Sequence, residues 1–251
     1  MEHFLNDLQK TVKQMARTIA EEKILPVRAE LDESEEFPWA IMKYLADTDL
    51  FGVWIPEEYG GLGGGCLELC LVIEELSRVC LGVATSYAVN SLGSFTLLEY
   101  GSEELKQKYL PDIASGRILT AFAVTEAEAG SDIGAIKTTA TRTDEGYVLN
   151  GTKQFITNGG EADIYTVIAL TDKAKGPRGA SALLVEKDTP GFSFGRKEKK
   201  MGIRTSVTGE LIFNDCRIPA DRLIGREGMG FIIAMKAFDL SRPGVGILGV
   251  G

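Results

Sequence analysis

The stretch FAVTEAEAGS, Phe122 to Ser131, continued by Asp132, carries the residue types best suited to hold a polar ligand. Phe122, Ala123 and Val124 read as a strand. Thr125 and Glu126 follow, and then a turn of small residues, Ala129-Gly130-Ser131-Asp132. A strand ending in Thr, Gly and Ser leaves backbone N–H groups and hydroxyls at its end. Such groups suit phosphate oxygens or the polar edge of a flat heterocycle. The same letters also spell an ordinary strand and a tight turn with Gly130 at positive φ. Thr157 ends a second β-rich run and is, taken alone, an ordinary strand threonine. Asp239 and Arg242 stand three apart on a helical run, so they share a face, where a solvated pair carries little energy.

Other chemistries find no support. His3 is the one histidine of 251 residues, which removes Ser–His–Asp and Cys–His catalysis and a His-rich metal centre. Cys66, Cys70, Cys80 and Cys216 form no C-x-x-C pair and no metal spacing, and Cys66 and Cys70 lie in an apolar helical run that reads as core. The run Gly244-Val-Gly-Ile-Leu-Gly249 matches G-x-G-x-x-G, but no strand precedes it. The formal net charge of -9 disfavours nucleic acid. No apolar run is long enough to span a membrane, and the polar start MEHFLNDLQK is not a targeting segment. A reduced, cytoplasmic setting is the expectation.

The elements that must position these residues fall into three blocks. Residues 1–118 read as all-helical: a helix over 4–30 disturbed by Pro26, a helix opened by Pro38, and a buried helix over 66–80. An apolar segment over 83–98 follows, then a helix capped by Ser102 and broken by Pro111. The glycine-rich stretch YGGLGGG reads as a flexible connection. Over 119–226 the period changes to short strands at 120–125, 136–143, 146–149, 152–157, 164–170, 180–186, 192–196 and 207–213, with Asn150-Gly151 as a hairpin turn. Residues 227–251 read as the start of a helical domain. The apolar helical run reaches Gly251 without a cap, so a further helical region is expected beyond it. The class is α+β: an N-terminal helical domain, a small antiparallel β-barrel, and the start of a C-terminal helical bundle.

With the motifs in this order, the chain resembles the acyl-CoA dehydrogenase family of flavoenzymes. AVTEAEAGSDIGA (123–135), NGTKQFITNGGEAD (150–163), FGRKEKKMGIRTSVTGELIFNDCRIPADRLIG (194–225) and GMGFIIAMKAFDLSRP (228–243) carry the resemblance. YGGLGGG and YGSEELKQKYLPDIASGR add to it, so that it covers essentially the whole chain. It implies FAD between the barrel and the C-terminal helices, shared across a homo-oligomer interface. Phe122, Val124 and Thr125 would line the isoalloxazine and bond its pyrimidine edge. Gly130 and Ser131 would meet the pyrophosphate and the acyl-CoA. Phe155, Ile156 and Thr157 would stand beside the ring, with Phe155 where a common family pattern has Trp. Ser131, Asp239 and Arg242 would border the acyl-CoA site.

The implied reaction is α,β-dehydrogenation of an acyl-CoA thioester in fatty acid metabolism, with electron transfer flavoprotein as acceptor. The proton goes to a carboxylate expected outside this chain. Ser241 occupies the position where a minority of the family carries that base, and no residue here is assigned to it. Glu126 reads as turn-bonding and Glu128 as solvent-facing. A non-catalytic fragment with partial FAD and acyl-CoA binding stands as the alternative. A relative that reduces acyl-CoA or oxidises nitroalkanes is a third reading.

Overall fold

The computed structural model describes residues 2–251. α1 (Asp7–Ile19) starts in a reciprocal cap, in which the Asn6 and Gln9 side chains each accept the other's backbone N–H at 2.8 and 2.9 Å. Val12, Ala16 and Ile19 make its buried stripe. The helix expected over 4–30 is in fact three pieces. α1 widens into a π-helical stretch over Ala20–Ile24, and α2 (Arg28–Ser34) begins only after Pro26, which has no N–H to continue a ladder. α3 (Trp39–Asp47) follows Pro38. α4 (Cys66–Ser77) and α5 (Leu81–Tyr100) are the buried helices, and α6 (Glu103–Ala114) is capped by the Ser102 hydroxyl. Pro111 does not break α6, which runs past it to Ala114.

The glycine-rich stretch is bonded back onto residues 52–56, through Leu62 N–H to Gly52 O at 2.8 Å and Gly63 N–H to Ile55 O at 2.9 Å. It is a packed turn and not a loose connection.

The strands are β1 (Thr120–Ala123), β2 (Thr139–Arg142), β3 (Gly146–Thr157), β4 (Ile164–Leu170), β5 (Ala180–Glu186), β6 (Phe192–Lys197), β7 (Thr208–Pro219) and β8 (Leu223–Ile224). They form one sheet in the order β6-β7-β3-β2-β4-β5-β8, with β1 beside β4. The sheet is mostly antiparallel, but β1 runs parallel to β4 and β2 meets β4 in parallel through Thr139 and Leu170. β1 arrives from a helix and is not tied to β4 by a hairpin, so a parallel partner is open to it.

Asn150-Gly151 is not a turn. β3 runs straight through it, and the β2–β3 hairpin closes earlier, where Thr143 N–H reaches Gly146 O at 2.8 Å. Gly151 takes φ +146° at a shift in the β3–β7 register, and a Cβ there would fall 2.8 Å from Thr138 Cα. The Asn150 side chain meanwhile exchanges hydrogen bonds with Asp215 on β7, at 3.1 and 2.8 Å. The Asn-Gly pair therefore encodes a bulge.

α7 (Gly230–Leu248) packs on α4, α5 and β5. The glycines from 244 onward lie on this helix or at its end, not behind a strand.

Candidate functional site

The β1–β4 ladder ends at Ala123, opposite Val167. Beyond it the chain is held by β3. Gln154 N–H donates to Thr125 O at 2.8 Å, and Lys153 Nζ donates to Val124 O at 2.8 Å and to Glu126 Oε1 at 2.7 Å. Glu126 also accepts the N–H groups of Lys137 at 2.6 Å and Thr138 at 3.0 Å. It is a turn-bonding carboxylate, and Glu128 is exposed and paired with Lys137. Glu126 and Ala129 exchange backbone bonds at 3.1 Å each, so the turn closes one residue before Gly130. Gly130 has no positive φ, and a Cβ on it would meet nothing within 4 Å. Gly130 and Ser131 face open space.

Thr125 is thus pinned through its carbonyl. Its N–H and its hydroxyl have no acceptor or donor among the described residues. Across from it, the β3–β7 register shifts between Lys153 and Ile156. Phe155 sits in this bulge at φ +57° with its side chain 56% exposed, while Ile156 is buried. The left-handed conformation costs an L-residue roughly 1–2 kcal/mol. Here the surrounding sheet imposes it and turns an aromatic face outward. Thr157 is half-buried, and its hydroxyl also has no protein partner among the described residues.

Thr157 opens into a cavity of about 160 Å³ between α4, α5 and α7. Ile73, Ala88, Leu92, Ser241 and Val245 line much of the rest. Its other hydroxyls are already bonded to their own helices: Thr85 to Leu81 O at 2.8 Å, Ser91 to Ala88 O at 2.7 Å, and Ser241 to Phe238 O at 3.1 Å. The cavity therefore presents an apolar interior with one free hydroxyl. Phe122 at the end of β1 packs edge-on against Phe238 of α7, centroids 5.6 Å apart. Val124 is buried.

The fold brings Phe122, Val124, Thr125, Phe155, Ile156 and Thr157 to one region and places Ser241 on its cavity. Asp239 and Arg242 do not line that cavity. They form an exposed pair, 3.9 Å apart, on the outer side of α7.

Two residues that sequence reasoning passed over hold the site in place. Asn90 of α5 accepts the Thr120 N–H on Oδ1 and the Thr120 hydroxyl on its carbonyl, both at 2.8 Å, and so fixes the start of β1. Lys153 is fully buried. Burial draws its ammonium down to about 8, against the pull of Glu126. Burial opposes ionisation of Glu126 too, but the Lys153 charge and three donated hydrogen bonds hold its carboxyl below the ordinary value. A signal for Lys153 existed: a lysine between Thr152 and Gln154 in a strand, 27 residues from the first of two glutamates after a second strand, is buried here only because the two meet.

The N-terminal domain model of the acyl-CoA dehydrogenases matches residues 6–117, and the middle domain model matches residues 121–216. The chain is 46% identical over 254 residues to the acryloyl-CoA reductase (NADH) of Anaerotignum propionicum, covering 100% of this chain and 64% of that protein. The butyryl-CoA dehydrogenase of Megasphaera elsdenii superposes with a TM-score of 0.95 at 41% identity, over 98% of this chain and 66% of that one. An acyl-CoA dehydrogenase of Bacillus anthracis complexed with FAD gives 0.90 at 35% identity, over 99% of this chain and 42% of that one. The chain spans just under two thirds of the length of the curated relatives it matches first. With two consecutive domain models matched in order and relatives aligned along its whole length, this chain belongs to the acyl-CoA dehydrogenase family.

Proposed function

We propose that the chain holds FAD and an acyl-CoA thioester, within an enzyme that removes hydrogens from the α and β carbons of the acyl group. The observation that carries this reading is Thr125: its carbonyl is tied down by Gln154, while its N–H and hydroxyl are left as donors next to the bulge that exposes the Phe155 ring. That donor set fits the acceptor-rich edge of a flavin. The open space beside Gly130 fits the close approach of a phosphate.

FAD, when bound, supplies the acceptor for the β-hydride. The chain's own residues do the rest. Thr125 and Thr157 orient by hydrogen bonds. Phe155 offers an aromatic face. Phe122 and Val124 keep water from the wall. Gly130 and Ser131 meet the phosphates, and Ser131, Asp239 and Arg242 border the CoA. No carboxylate lines the cavity among the described residues, so no residue of this chain is assigned as the base. The same observation favours, as the second reading, a chain that binds without turning over.

FAD titration followed by fluorescence quenching tests the proposal. Uptake by the wild type is expected, and Thr125→Val and Thr157→Val should each weaken it about fivefold, the value of one hydrogen bond. Wild-type protein that leaves FAD fluorescence unchanged at saturating concentrations would refute it.

The small cavity favours a short, apolar acyl group. Each added methylene should tighten thioester binding about fourfold until the cavity is full, from about 0.8 kcal/mol per buried CH₂. Ala88→Leu, which fills the cavity from α5, should abolish that gain while the shortest thioester binds as before. Equal affinity across chain lengths in the wild type counts against this assignment.

Electron transfer flavoprotein as partner, homo-oligomeric assembly, a role in fatty acid metabolism and a cytoplasmic setting belong to the same proposal. Exposed Ile232, Val245 and Val250 along and after α7 support further packing there. Four free cysteines suit a reducing compartment. No helix among the described residues is long and apolar enough to cross a membrane.

A further inference from the structure

We propose that Lys153 is a positioning residue for the ligand wall: its buried ammonium, held by Glu126, sets where Thr125 presents its donors. This rests on the flavin reading above. The β1 ladder stops at Ala123, so the sheet no longer determines the course of Val124, Thr125 and Glu126. Three bonds from two neighbouring β3 residues replace it: Lys153 to Val124 O, Gln154 to Thr125 O, and Lys153 to the Glu126 carboxylate. All three act on the acceptor side of the segment. The Thr125 N–H and hydroxyl stay available on the other side.

Stability alone gives little reason for this arrangement. A buried ion pair, considered by itself, is often worth no more than well-packed apolar side chains of the same volume. An apolar pair, however, could not grip a carbonyl at the end of a strand. The ammonium can, because it has three donors on a long stem and reaches Val124 O and Glu126 at once. Glu126 in turn collects Lys137 and Thr138 from the far end of the loop, so one charge pair closes the whole 124–138 excursion.

The test uses Lys153→Met and two readouts. In protein freed of flavin, the exchange of the Lys137, Thr138 and Gln154 amides should accelerate over the wild type by at least about tenfold more than that of the β4 amides, which report the global loss of stability. On FAD titration, Kd should rise about tenfold and the visible bands of the bound flavin should shift, as a reoriented hydrogen-bond donor requires. Unchanged exchange at the three amides overturns the proposal. Faster exchange with wild-type Kd and wild-type flavin bands also overturns it, and reduces Lys153 to a packing element. Failure of the wild type itself to take up FAD defeats the flavin reading and this role with it, whereas normal wild-type uptake with equal uptake by the variant defeats this role alone. If Lys153→Met does not fold, Glu126→Gln keeps the lysine side chain as a donor without its counter-charge, and the same readouts should change about threefold.

Discussion

Lys153→Met lowers the stability of the fold by about 3–5 kcal/mol, the cost of leaving one member of a buried ion pair alone. Lys153 is fully buried, and the Glu126 carboxylate is left without its counter-charge on removal of the ammonium. Urea denaturation should show the loss as a lower midpoint with an unchanged slope. The double variant Lys153→Met/Glu126→Met does not recover the wild-type value, as an isolated pair often would. Glu126 also satisfies the N–H groups of Lys137 and Thr138, and Thr138 is itself buried. An orphaned buried donor costs about 1–3 kcal/mol. The cycle should therefore show strong coupling between the two side chains and a residual deficit in the double variant. Additive single effects would mean that the pair is not formed.

The pH dependence has a definite sign. The fold lowers the Lys153 ammonium to about 8 because burial outweighs the attraction of Glu126. An unfolded lysine keeps its proton to about 10.4. Between those values the unfolded chain binds more protons, so the contribution of this group to stability rises with pH and is lost as pH falls through the folded value. The wild type should show this rise across the window, and Lys153→Met should lack it.

Much of the fold is legible in the letters, and the failures share one cause. Helices announce themselves by apolar spacing and caps, as with Val12, Ala16 and Ile19 behind Asn6, or Leu105 and Tyr109 behind Ser102. The strands of the second block follow from β-rich runs divided by turns, and the switch from helix to strand after Ala114 lies close to the expected place. What the letters conceal is register. Strict alternation through TKQFIT puts Lys153 and Phe155 on one face and Ile156 on the other. The bulge reverses this: Lys153 and Ile156 are buried and Phe155 is exposed. A one-residue slip in one strand decides which groups reach the ligand wall, and it depends on the partner strand, β7, some 50 residues later. Asn150-Gly151 misleads for the same reason. The pair supplies the positive φ that a turn needs, but Asp215 on β7 claims the asparagine side chain.

The candidate site was legible as a set of residue types and not as a mechanism of support. Thr125 and Thr157 stand out as hydroxyls at strand ends. Nothing in the spacing of Asn90 reveals that it replaces a strand partner for Thr120. A buried helical asparagine reads as a polar interruption of an apolar run, and its acceptor is needed only because α5 comes close enough for β1 to bond it.

That closeness leads to the second large effect: Gly93→Val destabilises the fold by about 3 kcal/mol, at the upper end of overpacking costs. Gly93 lies inside α5, where glycine is worth about 1 kcal/mol less than alanine. Close approach compensates for it. A Cβ on Gly93 would stand 2.7 Å from Thr120 Cβ and 3.3 Å from Ala121 O, with the Thr120 hydroxyl nearer still. Thr120 cannot swing away, because its N–H and its hydroxyl are both bonded to Asn90 of the same helix. Backing off means moving α5 from β1, and with it the Thr96–Thr166 hydroxyl contact of 2.9 Å. The melting temperature should fall by about 6–12 °C for a chain of this size. Gly246→Ala on α7 is the control. A Cβ there meets nothing within 4 Å, so the gain in helix propensity should leave stability equal or higher by up to about 1 kcal/mol. Because β1 carries Phe122 and leads directly into Thr125, Gly93→Val should also weaken FAD uptake, whereas Gly246→Ala should not. A Gly93→Val protein that melts and binds like the wild type would show that α5 does not fix the position of β1. The ligand wall would then depend on β3 and Lys153 alone.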